Sequence, residues 1–115
     1  MMSKVLIVNK SNHDFTDAER YGELVFMSYG PINRYATNQM VRKFQFYIDK
    51  SKPDDYLLIT GLSVMSTIAG SMMALKHGRL NLLLYRSSIE DGTTSYIERK
   101  IVFTKQMEKT NEKNK

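Results

Sequence analysis

His13 and Asp14 stand side by side, and a carboxylate next to an imidazole can tune its proton affinity near neutral pH. A small hydrolase using His13 is the activity such a pair would serve. Neighbours in a chain usually point apart, however, and Asp14 serves equally well as a helix cap. The other histidine, His77, lies far away in sequence, so a multi-histidine metal site within one chain is excluded. That removes metal-dependent phosphohydrolases of the His-Asp type. The absence of Cys excludes disulfides, thiolate metal sites and cysteine nucleophiles. No Gly-x-Ser-x-Gly elbow occurs, and the carboxylates show no metal-ligand spacing.

A second kind of chemistry is anion binding, and it centres on Thr60-Gly61-Leu62-Ser63. These residues interrupt an uncharged run from Tyr56 to Leu75 that is long enough to span a bilayer. Five hydroxyl residues (Thr60, Ser63, Ser66, Thr67 and Ser71) and two glycines dilute the run, and Asp54-Asp55 immediately precedes it. Strand, turn and helix is the better reading. Gly61 would then let a ligand approach the backbone, and the amides opening the helix would face an anion. Lys10 or Arg86 would supply the countercharge. One glycine is neither a GxGxxG fingerprint nor a Walker loop, and Thr60 or Ser63 would serve equally as a simple helix cap.

The elements that must position these residues follow from hydrophobic periodicity. Residues 4–9, KVLIVN, form a continuous apolar run, as a buried central strand does. Thr16-x-x-Glu19 has capping-box spacing and predicts a short helix over 16–21. Residues 23–30 read as a second strand ending at Gly30-Pro31. From Asn33 to Lys50, Ala36, Met40, Val41, Phe44, Tyr47 and Ile48 recur at helix spacing. Arg34, Arg42 and Lys43 mark its polar face, a solvated surface or a weak phosphate-backbone contact. Lys52-Pro53-Asp54 makes a turn. Residues 55–60 are a third strand, 63–77 a helix closed by Gly78, 79–86 a fourth strand and 95–103 a charged edge strand. Lys76 and His77 fall in the last helical turn, where the helix dipole favours cations.

Helices alternating with short apolar strands predict a three-layer, Rossmann-like α/β domain with a mostly parallel sheet and an antiparallel edge hairpin. A flavodoxin-like strand order fits best. In such a sheet, ligands sit at the carboxyl ends of the strands. There the candidate ligand-binding residues are Asn9, Lys10, Ser11 and His13 after strand one, and Tyr29 and Gly30 after strand two. Thr60, Gly61 and Ser63 follow strand three, and Arg86 follows strand four.

The helix over 63–77 has two stripes. Met65, Ile68, Met72 and Leu75 are the expected sheet-facing side; Ser63, Thr67, Gly70, Ser71 and Ala74 are small and permit close backbone approach. The second stripe would meet a neighbouring helix or the same face of a second subunit, making a homodimer. Residues 1–104 form the expected domain and 105–115 a charged, flexible tail. That tail holds four Lys and two Glu, which leaves +3 of the +5 net charge on the body. So mild a charge supports nucleic-acid binding only weakly. The chain is expected to be cytoplasmic, with no membrane association and no cofactor. A short, Cys-free chain rich in Lys, Asn, Met and Ile also has the composition of small viral or mobile-element proteins.

These features predict a non-catalytic module for a nucleotide or other phosphorylated small molecule. The alternative is an interaction protein for a macromolecular partner, protein or nucleic acid, using the exposed helix and the tail. The small hydrolase is the third reading.

Overall fold

Val5, Leu6 and Ile7 are all buried because strand β1 (Lys4–Ile7) lies inside the sheet and packs on both faces. The computed structural model describes residues 3–88 and 90–103, and the tail expected over 105–115 lies outside them. β1 is followed by a 3-10 helix (Thr16–Tyr21), β2 (Glu23–Phe26), α1 (Thr37–Ile48) and β3 (Tyr56–Leu58). Then come α2 (Ser63–His77), β4 (Arg79–Ser87) and β5 (Thr94–Val102). The sheet order is β2-β1-β3-β4-β5. The first four strands are parallel, and β5 pairs antiparallel with β4. The chain is thus a mixed α/β domain with a mostly parallel sheet.

Alternation along β1 divides the core. Leu6 and Val8 join Met40, Phe44 and Ile48 of α1 and Met65, Ala69 and Met73 of α2 on one face. Val5 and Ile7 join Phe15, Ala18, Leu83 and Tyr96 on the other, where the 3-10 helix sits. Removing a ring as completely buried as that of Phe44 costs roughly 3–5 kcal/mol.

Several local expectations change. The helix expected from Asn33 starts at Thr37, because a turn precedes it: Tyr35 N donates to Asn33 Oδ1 (3.0 Å) and Ala36 N to Asn33 O (3.1 Å). Arg34 therefore lies in a loop rather than on the polar face of α1. The capping box at Thr16 does not form; Phe15 is the N-cap and no side chain caps the 3-10 helix. Thr16 instead donates its amide and hydroxyl to Asp14 Oδ1 (2.9 and 2.5 Å). Those two bonds hold the Asp14 carboxyl below its ordinary range.

On α2 the buried line is Met65, Ala69 and Met73, while Ile68 and Met72 pack at its margin. Leu75, expected to face the sheet, is 87% exposed. The sheet and α1 enclose this helix together, and the small Ala69 lets its backbone settle where a larger side chain was expected. On the small-residue stripe, Thr67 Oγ1 and Ser71 Oγ donate back to Ser63 O (2.9 Å) and Thr67 O (2.7 Å), so their hydroxyls are satisfied within the helix. This stripe is exposed at Ser63, Thr67 and Ser71 and half-buried at Gly70 and Ala74. It borders an open groove of about 400 Å³ with Ile59, Leu80, Leu82 and Phe103.

The amino ends of the strands are tied by a buried polar network. Asp55 Oδ1 accepts from Lys4 N (2.9 Å) and Oδ2 from Lys52 N (2.8 Å). Asn81 Nδ2 donates to Pro53 O at 3.1 Å. Lys76 lies in the last turn of α2, as expected. It reaches across to the carboxyl end of α1, donating to Ile48 O (2.8 Å), Asp49 O (2.5 Å) and Ser51 O (3.3 Å), where unpaired carbonyls need donors. Ser51 Oγ donates to Ile48 O (2.6 Å) and lies 2.7 Å from His77 Nε2. Among the described residues, Arg79 Nε is the one buried side-chain polar atom without a partner.

β5 is not a bare edge at its start. Tyr96 N donates to Asp17 Oδ2 (2.7 Å), and Tyr96 O accepts from Arg20 Nη2 (3.0 Å) and Tyr21 Oη (3.1 Å). The 3-10 helix thereby covers backbone groups that would otherwise invite another strand. Among the described residues no helix is long and apolar enough to cross a membrane.

Candidate functional site

Parallel strands bring their following loops to one edge, and two of the expected loops touch there. A Cβ on Gly61 would lie 3.1 Å from Asn9 Cβ and 3.8 Å from Met65 Sδ. Gly61 itself has φ +89°, a region that side chains other than glycine rarely enter. The switch point between β1 and β3 is therefore closed at its base by Asn9 packed on Gly61. This changes why Gly61 should be sensitive: an added Cβ meets Asn9 before it meets any ligand. Asn9 is in turn fixed by Ser28, whose hydroxyl is shared between Val8 O (2.7 Å) and Asn9 Oδ1 (2.8 Å). Asn9 Nδ2 donates to Gly30 O at 3.2 Å. Asn9, Gly30 and Gly61 thus form one connected patch. Ser28, buried within the strand-two segment, went unrecognised in the sequence because nothing local sets it apart from a core position.

The remaining candidates divide. Lys10 N donates to Ser28 O (2.8 Å), but its ammonium lies over the Phe26 and Tyr29 rings, 5.3 and 5.9 Å from their centroids. His13 packs against Tyr85 (5.7 Å) and Phe15 (6.4 Å) on the side of the 3-10 helix. Its amide lies 3.5 Å from Ser11 Oγ. The Asp14 carboxylate is engaged by Thr16 rather than by His13. Arg86 is exposed near the end of β4, opposite Ser95. Lys10, His13, Tyr29 and Arg86 thus do not converge on the Asn9–Gly61 contact.

Thr60 and Ser63 cap nothing. α2 begins after Leu62, whose extended backbone (φ −68°, ψ 142°) turns the chain into the helix without a side-chain bond. Met65 N and Ser66 N both donate to Leu62 O (3.0 and 3.2 Å). α1 likewise has no side-chain cap at its amino end. The two uncapped helix starts face one open groove of about 520 Å³, lined by Arg34, Tyr35, Thr37, Leu62, Ser63 and Val64. One cation and no carboxylate lie in that lining, so the local field favours an anion. A smaller cleft of about 70 Å³ beside it reaches Ser28 and is lined also by Gln39, Lys43 and Met65.

Arg34 was expected only as part of a helix face, a solvated surface or a weak phosphate-backbone contact, and Tyr35 and Thr37 were not among the ligand-binding candidates. The signal was present in Gly30-Pro31-Ile32-Asn33, a turn-rich run that ends in an Asn able to fold the backbone back on itself. Extending the loop to residue 36 would have placed Arg34 and Tyr35 correctly. Among the described residues no group of three His, Asp or Glu could hold a metal ion.

A family model described as phage Pam3 gp32-like protein matches residues 3–101. That match covers most of the chain, which belongs to this family. No curated protein and no solved structure matches it. The phage designation fits the expectation of a small viral protein.

Proposed function

We propose that this member of the phage Pam3 gp32-like family is a non-catalytic module that binds a phosphorylated small molecule at the carboxyl edge of its sheet. The domain is read as Rossmann-like, in three layers with a flavodoxin-type strand order. Support comes from the order β2-β1-β3-β4-β5 and from helices on both faces of the sheet. The observation that carries the functional reading is the 520 Å³ groove with Arg34 on its wall and no acidic residue in its lining. Its size lies in the range of small-molecule sites, and it begins beside Gly61. The phosphate would meet the Arg34 guanidinium and the first amides of α2. Arg34 takes the role first given to Lys10 or Arg86.

Calorimetry with inorganic phosphate, ribose 5-phosphate and AMP tests this. Wild type should bind at least one of them. Arg34→Ala should weaken binding about tenfold, the scale of one charge-assisted contact, and Lys10→Ala should leave it nearly unchanged at moderate salt. Failure of wild type to bind any of the three would remove the reading and favour a macromolecular partner.

A second copy of the chain is the proposed partner of the small-residue face of α2. The open groove along Thr67, Gly70, Ser71 and Ala74 supports this, since small side chains let two helices approach closely. Light scattering should then give about twice the 13.3 kDa chain mass, and Gly70→Leu should return the monomer. A wild-type monomer at high concentration would overturn the dimer.

A further inference from the structure

Four aromatic side chains among the described residues are strongly exposed: Tyr29, Tyr35, Phe46 and Tyr85. Three of them already have a ring or a cation against them. Tyr29 has Phe26 and Lys10; Phe46 has Tyr47 and the Lys50 ammonium, 3.9 Å from its centroid; Tyr85 has His13 and Tyr96. Tyr35, 84% exposed, has neither among the described residues. Its backbone is nonetheless fixed, because its amide donates to Asn33 Oδ1 (3.0 Å) in the turn before α1. An aromatic residue with a fixed backbone thus lines the 520 Å³ groove together with Arg34, Leu62 and Val64.

We infer that the ligand of this groove is a nucleoside phosphate, whose base stacks on Tyr35 while its phosphate meets Arg34. The inference rests on the phosphate-binding reading above and adds the base. A flat aromatic heterocycle covers an exposed ring better than a sugar phosphate can, because it offers a π face of similar size. Leu62 and Val64 supply an apolar wall for the other side of the base. The Thr37 and Ser63 hydroxyls are the polar groups of the lining left to meet the sugar or the base edge.

The test is calorimetry of AMP, ribose 5-phosphate and adenosine against wild type, Tyr35→Phe, Tyr35→Ala and Arg34→Ala. Each variant is first shown to melt within a degree or so of wild type, as so exposed a ring permits. AMP should bind wild type at least tenfold more tightly than ribose 5-phosphate, the range of one stacked base. Tyr35→Phe should keep that ratio, and Tyr35→Ala should bring AMP down to the ribose 5-phosphate level. Arg34→Ala should weaken both phosphates alike. The Tyr35 ring protons should shift upfield with AMP and not with ribose 5-phosphate, which a purely structural tyrosine would not show. Equal binding of the two phosphates to wild type would overturn the base while leaving the phosphate site. A tenfold ratio that survives Tyr35→Ala would overturn the role of Tyr35. Binding of none of the three would overturn both readings.

Discussion

At the amino ends of the strands, Asp55 uses both carboxylate oxygens on backbone amides, and Lys76 reaches three carbonyls of a neighbouring helix end. At the carboxyl ends, two helices begin without a side-chain cap, and Arg34, Tyr35 and Ser63 line an open groove between them. Both regions are rich in polar groups. The first pairs nearly all of them internally, Arg79 Nε excepted. At the second, beyond the Asn9–Ser28–Gly30 patch, the Arg34, Thr37 and Ser63 side chains of the groove have no hydrogen bond among the described residues. A network whose members pair with one another lowers the free energy of the fold and has little left to offer a ligand. Donors left facing water cost nothing there and remain free to recognise something else. The contrast separates His77 from His13 as well: the first sits on Ser51 inside the network, and the second packs on the exposed Tyr85 ring and the buried Phe15 ring.

The strongest way to break this comparison is Asp55→Ala. Two amides lose their acceptor at once, and urea unfolding should show a loss of roughly 3 kcal/mol. Arg34→Ala and Tyr35→Ala should stay within about 0.5 kcal/mol of wild type. Equal losses at the two ends would mean that the carboxyl edge is as structural as the amino edge. Gly61→Ala comes next, at roughly 1–2 kcal/mol, from a φ of +89° and a Cβ placed 3.1 Å from Asn9 Cβ. It sharpens the contrast by marking a backbone position at the carboxyl edge that stability itself constrains. A neutral result would show that the loop relaxes easily.

Gly70→Ala should act the other way. A Cβ there would meet only Leu57 Cδ2, at 4.0 Å, so the helix should gain about 0.5–1 kcal/mol from the lost freedom of the unfolded chain. A destabilised variant would reveal crowding on a face described as open.

The smallest effect is a pH slope. Burial, helped by the Lys76 charge, holds the His77 imidazole below its ordinary 6.5. The unfolded chain therefore binds a proton that the folded one resists. The stability is present above pH 6.5 and declines as pH falls below it, through the depressed folded value. His77→Gln should flatten the melting-temperature profile between pH 7.5 and 5. An unchanged slope would assign the titration elsewhere.

The strand–helix alternation and the bounds of α2 were legible because Gly61 and Gly78 punctuate an uncharged run unmistakably. The meeting of Asn9 with Gly61 followed from parallel topology alone. The buried face of α2 was less accessible: periodicity locates an apolar stripe, but only the neighbouring α1 decides that Ala69 goes inward and Leu75 outward. Lys76 falls in the last turn as expected, but its reach to the end of α1 was hidden for the same reason, since it depends on a second helix. Arg34 and Tyr35 were hidden by a helix started at Asn33 rather than Thr37, where Asn33 turns the chain first. What was missed is consistently what depends on a second element.

The bonds from Asp17, Arg20 and Tyr21 to Tyr96 join positions 75 to 79 residues apart. During synthesis, the first crossover leaves the ribosome long before its last partner exists. Until residue 96 emerges, those side chains lack their backbone partner and have only one another and water, and Phe15 and Ala18 lack the ring that completes their side of the core. Loop closure over such a separation comes late. The earliest-made helix is therefore among the last parts to become rigid, and a nascent chain stopped short of the final hairpin would present its first crossover to proteases and chaperones.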